Sequence, residues 1–231
     1  MSTYAWVILA SFIGPLLLSF DKKVAFYKHW KSVSFAILIV AFPFLIWDEF
    51  FTQWGIWGFT DYHVLGIYFG RLPLEEVLFF FVVPYNCVFI YEVLLAYFKG
   101  ISFPKFSKIF FVVFTCLAIF NSIINVNGLY TFYASIIAAG LSLYALTSRS
   151  YWLQYFSLTY SIALIPFIIV NGILTGAVTS SPIVWYNENE IIGLRIITIP
   201  YEDLFYNFDL IFLVILIHQF LRYKPITGQS T

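Results

Sequence analysis

The chain has 231 residues, of which 61% are hydrophobic and 10% are charged, and its formal net charge is zero. A soluble domain is about one quarter charged, so the composition excludes an ordinary soluble enzyme, and the neutral balance argues against a nucleic acid partner. Apolar runs long enough to cross roughly 30 Å of hydrocarbon recur along the chain. Because these runs are continuous and do not alternate with polar residues, they predict an all-α integral membrane protein.

Seven apolar segments are predicted to be transmembrane helices. In chain order they cover residues 3–20, 32–47, 74–98, 109–126, 129–147, 152–174 and 201–222. Two long connections, 48–73 and 175–200, are rich in Trp, Tyr and Gly and look too apolar for free loops. We expect both connections to fold back over the helices or to dip into the bundle.

Basic residues are distributed unevenly between the two sides of the membrane that seven spans define. One side carries Lys22, Lys23, Lys28, Lys31, Lys99, Lys105, Lys108, Arg149, Arg222 and Lys224. The other side carries only Arg71 and Arg195. Because basic connections stay in the cytoplasm, we expect a cytoplasmic C-terminus and an external N-terminus in the cell inner (plasma) membrane.

Two acidic motifs point to an internal repeat. The first motif reads PLEE and contains Glu75 and Glu76, and the second reads PYED and contains Glu202 and Asp203. A glycine precedes each motif proline by seven residues. The step along the chain from Glu75 to Glu202 is called the repeat offset below. Adding the repeat offset to the residue numbers of the first predicted span places it on the fifth span, and adding it to the second span places it on the sixth.

This offset predicts two parallel three-helix repeats and one linking helix. The first repeat covers residues 1–98, the linking helix lies within 99–128, and the second repeat covers 129–231. Because the linking helix makes both repeats start on the same side, a pseudo-two-fold axis would run along the membrane normal. Both acid pairs would then face the same pocket or groove.

The acid pairs have a structural and a functional interpretation. Proline suits the first turn of a helix, and an acid there interacts favourably with the helix dipole. Acids at membrane depth, however, more often serve a function. Neighbouring residues point about 100° apart on a helix, so one acid of each pair can face the interior. Desolvation and mutual repulsion would favour a protonated carboxylic acid there. The helix dipole favours the charged carboxylate instead, so the sequence does not decide between the two forms.

Aromatic residues make up 23% of the chain and flank both motifs. Taken singly, they are typical of interfacial belts and core packing. Taken as a set, their ring faces could stabilise a cationic intermediate. An acid, an aromatic cage and the exclusion of water are together what the protonation of an isolated alkene requires.

The doubled motif and the NGILTG segment that starts at Asn171 resemble the lycopene cyclases of the heterodimeric or fused type, a family distantly similar to UbiA-like prenyltransferases. The resemblance implies a lycopene beta-cyclase without redox chemistry. An acid protonates a terminal alkene, the carbocation closes a ring, and deprotonation yields a β-ring, giving gamma-carotene and then beta-carotene. The implied partners are lycopene and other hydrophobic carotenoids from the bilayer, the lipid membrane itself, and other carotenoid-pathway enzymes.

The resemblance assigns catalysis first to Glu75 and Glu202 and next to Glu76 and Asp203, without deciding which is the acid and which the base. The candidate substrate-binding residues are Asp48, Thr52, Asn171, Thr175, Trp54, Trp57, Phe79, Trp185 and Phe205. The first repeat has DEFFTQ where the second has NGILTG, so the two halves need not be catalytically equivalent.

No cofactor and no metal are expected. The family uses no flavin, and the sequence contains no GxGxxG fingerprint that would bind one. Cys87 and Cys116 both fall within predicted spans, and their spacing fits neither a metal site nor a disulfide framework. Asp209, the deepest acid of the last span, is expected to hydrogen-bond to a neighbouring helix.

Several other functions are weighed against the cyclase. A retinal protein needs a lysine deep in the last span, and that span has none before Lys224. A UbiA-like prenyltransferase needs Asp-rich diphosphate-binding motifs, which the Glu-Glu and Glu-Asp pairs do not match. A transporter built on the repeat, a cyclase of C50 carotenoids and a carotenoid hydratase stay open, as does the choice between β-, ε- and γ-rings.

Overall fold

The computed structural model describes residues 2–222, and within them the chain forms seven α-helices. They are α1 (Thr3–Leu18), α2 (Trp30–Gln53), α3 (Leu74–Tyr97), α4 (Pro104–Ile124), α5 (Leu129–Thr147), α6 (Trp152–Leu174) and α7 (Asp203–Arg222). The helices α2 to α7 are long and apolar enough to cross a membrane. The helix α1 has 16 residues, fewer than the roughly 20 that a span needs. The prediction of a multi-pass helical membrane protein is therefore confirmed, with six helices of full spanning length.

The observed helix boundaries agree best with the predicted ones where a span is apolar throughout. The helices α5 and α6 begin and end at the predicted residues, whereas α2 continues to Gln53, past the predicted end at 47. The extension contains Asp48, whose carboxylate accepts a hydrogen bond from the Trp57 ring nitrogen. The helix α4 begins at Pro104 rather than at 109, since proline is well suited to a helix start.

The helices pack in a crossed arrangement. The helix α1 packs on α3, α5 packs on α7, and α4 packs on α5. In addition, α2 packs on α7 and α6 packs on α3, so the first and second halves of the chain share one core. At the end of α3, the Glu92 carboxylate accepts hydrogen bonds from Arg222 at 2.5 Å and His218 at 3.0 Å, which ties α3 to α7.

The two long connections fold back onto the helices, as expected, and pair with each other. The strand β1 (Trp57–Phe59) runs antiparallel to β4 (Val184–Tyr186), with Gly58 opposite Trp185. The ladder continues on both sides, because the Thr60 amide donates to the Ile183 carbonyl at 2.9 Å and the Asn187 amide donates to the Ile56 carbonyl at 2.8 Å. This ladder covers one end of the helix bundle.

A short hairpin precedes each acidic motif. The strands β2 (Tyr68–Phe69) and β3 (Leu72–Pro73) form the first hairpin, and β5 (Arg195–Ile196) and β6 (Ile199–Pro200) form the second. Moving the first hairpin along the chain by the repeat offset reproduces the register of the second. Gly66 and Gly193 have φ angles of 78° and 80°, in the left-handed region that glycine adopts most readily.

Both motif prolines lie before their helices and not in the first helical turn. Pro73 directly precedes α3, and Pro200 lies three residues before α7 begins at Asp203. Each proline instead ends the second strand of its hairpin, where its missing N–H costs no ladder bond. Glu75 and Glu76 nevertheless lie in the first turn of α3, and Asp203 lies in the first turn of α7.

A side chain at Gly58 should loosen the β1–β4 ladder. A methyl group added at Gly58 would overlap the ring of Trp185, the residue opposite in the ladder. We predict that Gly58→Ala lowers the unfolding free energy by about 1–3 kcal/mol, the usual cost of overpacking, measured as a lower thermal unfolding midpoint in detergent. Gly140→Ala on α5 is the matched control, because no heavy atom lies within 4 Å of the added carbon. Equal midpoints for the two variants would contradict the prediction.

Candidate active site

A pocket lies where α3 and α7 begin, beneath the β1–β4 ladder. Six helices and both ladder strands contribute to it, so it belongs to neither half of the chain alone. It is lined by Tyr4, Asp48, Trp57, Phe59, Glu76, Phe79, Tyr130, Phe167, Asn171, Leu174, Thr175, Val184, Tyr186, Asp203, Tyr206, Asn207 and Leu210. We call it the acid pocket, because Asp48, Glu76 and Asp203 are its three carboxyl groups.

Glu76 is brought to the pocket by the first turn of α3 and is 8% exposed. The Tyr4 hydroxyl of α1 donates a hydrogen bond of 2.5 Å to its Oε2 atom. The other carboxyl oxygen of Glu76, Oε1, does not take part in this hydrogen bond. Glu76 is therefore a buried carboxyl group with one orienting donor and one oxygen available to a ligand.

Asp203, the first residue of α7, receives three hydrogen bonds. The Tyr130 hydroxyl donates to Oδ1 at 2.6 Å, and both the Asn171 amide and the Tyr186 hydroxyl donate to Oδ2 at 3.0 Å. Burial, and next the charge of Asp203, raise the pKa of Tyr186 well above its usual range, so this phenol keeps its proton. Three donors favour the charged form of a carboxyl group. Asp203 is accordingly the acid of the pocket with the most hydrogen-bond donors.

Asp48 reaches the pocket from α2 and is 2% exposed. The Trp57 ring nitrogen donates to its Oδ1 at 2.5 Å. Its Oδ2 atom is buried and has no hydrogen-bond partner among residues 2–222. An unpartnered carboxylate oxygen is costly to bury, whereas a neutral carboxylic acid costs less.

The lining of the acid pocket contains no Lys, Arg or His within the described part of the chain. Three carboxylates there would have no counter-ion, and their mutual repulsion would add to the cost of desolvation. The arrangement therefore favours a proton held between the three groups. Asp203 has three donors and the other two acids have one each, so the hydrogen bonds favour the charged form most strongly at Asp203.

Glu75 and Glu202, the first acids of the two motifs, face away from this pocket. Glu75 accepts a hydrogen bond from the Ser2 hydroxyl and one of 2.7 Å from the Leu65 amide. Glu202 accepts bonds of 2.6 Å from the Thr131 hydroxyl and the Ile192 amide. Each glutamate is fully buried and links its motif to the preceding connection and to the first helix of its half.

The predicted binding residues divide into two groups. Asp48, Trp57, Phe79, Asn171 and Thr175 line the acid pocket, whereas Thr52, Trp54, Trp185 and Phe205 are not part of its lining. Trp54 is 57% exposed and Trp185 covers Gly58. Phe205 packs against Phe114 of α4 instead.

The sequence interpretation missed the two tyrosines that orient the pocket acids. Tyr4 lies in the first turn of α1 and Tyr130 in the first turn of α5, and both hydroxyls donate to the second acid of their half. Their spacing, which is close to the repeat offset, was the available signal. A second prediction is wrong, since neither carboxyl oxygen of Asp209 has a hydrogen-bond partner in the described range.

Aromatic rings surround the carboxyl groups. The Trp57 ring lies 4.9 Å from the Tyr130 ring and 6.0 Å from the Tyr206 ring, measured between centroids, both edge to face. Tyr130 and Tyr186 stack at 5.9 Å. Such a cluster presents ring faces and edges to one small volume, and ring faces attract a cation.

The fold and the pocket define a multi-pass helical membrane protein with buried acids from both halves of the chain in one aromatic site. A family model described as lycopene cyclase matches residues 1–94 and 127–221. These stretches cover most of the chain, which therefore belongs to the lycopene cyclase family. The matched stretches leave out 95–126, where α4 lies.

Three fungal proteins share part of this sequence, each named bifunctional lycopene cyclase/phytoene synthase. The protein of Phaeosphaeria nodorum is 33% identical over 88 residues, or 38% of this chain and 14% of the relative. That of Leptosphaeria maculans is 34% identical over 88 residues, or 38% of this chain and 14% of the relative. That of Pyrenophora tritici-repentis is 32% identical over 97 residues, or 39% of this chain and 16% of the relative. The alignments thus span about one seventh of each relative, and no solved structure matches the chain significantly.

The two glutamates outside the pocket should matter for stability. Each accepts one hydroxyl and one amide hydrogen bond in a buried position. The Oε2 atom of each is buried without a partner among residues 2–222. We predict that Glu75→Gln and Glu202→Gln each lower the unfolding free energy by about 0.5–1.5 kcal/mol, the usual net contribution of an intramolecular hydrogen bond, seen as a lower thermal midpoint. The control is Glu188→Gln, whose side chain is 65% exposed and pairs with Arg195 at the surface, where ion pairs contribute little. Unchanged midpoints for both buried variants would contradict the prediction.

Proposed function

We propose that this chain is a lycopene beta-cyclase that closes the acyclic ends of lycopene to β-rings, giving gamma-carotene and then beta-carotene. The proposal rests on membership of the lycopene cyclase family and on the names of the fungal relatives. The observation that carries it is the acid pocket, in which Glu76 and Asp203 from the two halves meet among aromatic rings without a basic residue in the described lining. The substrate would be taken from the bilayer.

Ring closure begins in this proposal with Glu76 as the acid. Its carboxyl proton adds to the terminal alkene, which forms a new C–H bond and leaves a tertiary carbocation. The next alkene attacks that cation, and a carbon–carbon bond closes the six-membered ring. Tyr4 holds the other oxygen of Glu76, so the acid group is oriented before the substrate arrives.

The carbocation needs protection until it loses a proton. Trp57, Tyr130 and Tyr206 offer ring faces and edges around the site, and an aromatic face stabilises a cation by about 2 kcal/mol when both are desolvated. The β1–β4 ladder covers the pocket and limits water. Exclusion of water favours loss of a proton over capture of the cation by water.

Asp203 is the base in this mechanism. Oδ1 has one donor, Tyr130, so it retains a lone pair that can accept the ring proton. Removal of that proton forms the ring double bond and restores neutrality. One proton is gained and one is lost, so product and substrate are isomers and no electron is transferred. Between turnovers Asp203 releases that proton to solvent, and a solvent proton returned to Glu76 through the neighbouring Asp48 resets the site.

We infer that Glu75 and Glu202 act as positioning residues in this reaction. They hold the hairpins and the first turns of α3 and α7 in place through paired hydroxyl and amide bonds. Their neighbours then point about 100° away and into the pocket. This assignment reverses the order of the two acids that the family resemblance alone implied.

We further propose that the two halves are parallel repeats, 1–98 and 129–231, joined by a linking helix within 99–128. The equal registers of the hairpins support this. So does the β1–β4 ladder, because Gly58 and Trp185 are paired in it and are also separated by the repeat offset. A two-fold rotation through this pair therefore maps each strand onto the other. The symmetry is approximate, since Asp48 of α2 has no acidic counterpart in α6.

The orientation in the membrane is part of the proposal. We place the C-terminus in the cytoplasm and the N-terminus outside, in the inner (plasma) membrane, because the basic residues cluster on one side. Lys22, Lys99 and Arg149 follow the ends of α1, α3 and α5, all on that side. Lys224, which belongs to the same set, lies outside the described residues.

Conservative amide substitutions should separate the four motif acids. We predict that Glu76→Gln and Asp203→Asn each reduce ring formation by about 100-fold or more, within the range for loss of a general acid or base. Glu75→Gln and Glu202→Gln should retain measurable activity once corrected for protein amount. The measurement is chromatographic pigment analysis of lycopene-accumulating bacteria that express each variant. Inactive Glu75→Gln and Glu202→Gln together with active Glu76→Gln and Asp203→Asn would contradict the assignment.

Deuterium from the solvent should be incorporated into each ring that forms. In heavy water the acid carries a deuteron, so we predict that one deuterium enters the product for each ring formed, at the carbon that is protonated. Mass spectrometry of product formed in proteoliposomes measures this. A product of lycopene mass plus water would instead indicate a hydratase, and a cyclic product without deuterium would contradict solvent-exchangeable acid catalysis.

The shared pocket also predicts the order of products. Because both halves contribute to one pocket, a binding event can process one end of a long symmetric substrate. We predict that a monocyclic product precedes the bicyclic product in a time course and that a low ratio of enzyme to substrate increases its share. Simultaneous appearance of only the bicyclic product from the earliest time points would contradict one-end processing.

A further inference from the structure

An apolar groove runs along α3 between α1 and α6. Its lining comes mainly from these three helices: Ser11, Pro15, Phe79, Val83, Asn86, Cys87, Ile90, Ala163, Pro166, Phe167, Ile169, Val170, Asn171 and Asn207. From Phe79 to Ile90 the helix rises about 16 Å at 1.5 Å per residue. This is roughly half of the hydrocarbon thickness, so the groove extends from the acid pocket toward the middle of the bilayer.

The groove and the acid pocket are continuous. Phe79, Phe167, Asn171 and Asn207 line both. Phe79 lies one turn after Glu76 on α3, and Asn171 donates to Asp203. A chain lying in the groove would therefore deliver its end to the two acids.

The groove opens toward the lipid side of the bundle. Ile169, on its rim, is 61% exposed, and the neighbouring Pro166 is exposed as well. In a membrane, an exposed apolar side chain faces hydrocarbon. Pro15 of α1 and Pro166 of α6 both line the groove. Each proline interrupts the hydrogen bonding of its helix, so α1 and α6 can bend apart at these points.

The chemistry of the lining selects the occupant. None of the groove residues is charged, and most are aliphatic or aromatic, while the polar ones are Ser11, Asn86, Asn171 and Asn207. The lining therefore offers no counter-charge for an ionic head group or an ion. A long unsaturated hydrocarbon fits this surface, because its only strong interaction is apolar contact.

We propose that this groove binds the polyene chain of the substrate and is the lateral portal through which an acyclic end reaches Glu76 and Asp203 from the bilayer. The inference rests on the proposed cyclase function for the identity of the polyene. It adds a binding site on α1, α3 and α6 that is separate from the reacting acids, with Val83 and Val170 as its contact residues.

The test is to block the groove with a bulky side chain. Val83→Trp and Val170→Trp would fill it from α3 and from α6, two independent positions. The matched control is Val113→Trp, because Val113 is 51% exposed and lines a different apolar groove, between α4, α6 and α7, that shares no residue with the acid pocket. Purified yield and thermal midpoint establish that all three variants are folded.

Two readouts are taken on each variant. The first is the amount of lycopene that co-purifies with the protein from lycopene-accumulating cells, measured by its visible absorption in an Asp203→Asn background. The second is the initial rate of ring formation in lycopene-containing vesicles, measured with Asp203 intact. We expect the two groove variants to lose about ten-fold in both readouts, in line with steric exclusion from a preformed apolar site, while Val113→Trp stays within about two-fold.

The outcomes separate the groove from the cyclase function. Lycopene retention that depends on Val83 and Val170, without any ring formation by the parent chain, would support the groove and overturn the cyclase. Ring formation at the parent rate in both groove variants would overturn the groove and leave the cyclase in place. Retention in the groove variants equal to that of Val113→Trp, or no retention by the parent protein, would also overturn the groove.

Discussion

The structure depends on one constraint: three carboxyl groups are buried together in a pocket whose described lining holds no basic residue. Such a group of acids is unstable as three anions, so the site must hold at least one proton and must supply hydrogen-bond donors for the charges that remain. Tyr4 and Trp57 each provide one donor, and Asp203 receives three. The supply of hydrogen-bond donors therefore differs between the three acids.

The fold serves this constraint by bringing the starts of α3 and α7 together. Each hairpin ends at a motif proline, and the glutamate that follows is tied to a backbone amide and a hydroxyl. The next residue is thereby turned into the pocket. Pairing of β1 with β4 then covers both helix starts with one ladder. Three carboxyl groups and an aromatic wall thus share one site beneath the ladder.

The sequence predicted the helices well and the site only in part. The ends of α5 and α6 follow directly from hydropathy, and the connection between the motifs and a shared pocket followed from the repeat offset. Which acid of each pair faces inward could not be read from the sequence, because neighbouring helical positions differ only in direction and the hairpins set that direction. Tyr4 and Tyr130 were missed for a related reason, since a tyrosine near a helix start is indistinguishable from an interfacial residue until its partner is known. Trp54 and Trp185 were assigned to the site by composition, yet lie outside its lining.

The most direct test of the central claim is infrared spectroscopy of the protein in lipid at neutral pH, which detects the carbonyl band of a protonated carboxylic acid. We predict such a band in the parent protein and expect it to weaken in Glu76→Gln. Asp209→Asn is measured in parallel to assign the separate contribution of that buried acid. Loss of pocket signal in Glu76→Gln but not in Glu75→Gln would support Glu76 as the proton donor. An unchanged spectrum in Glu76→Gln would contradict the assignment, because the pocket would then not store its proton on that residue.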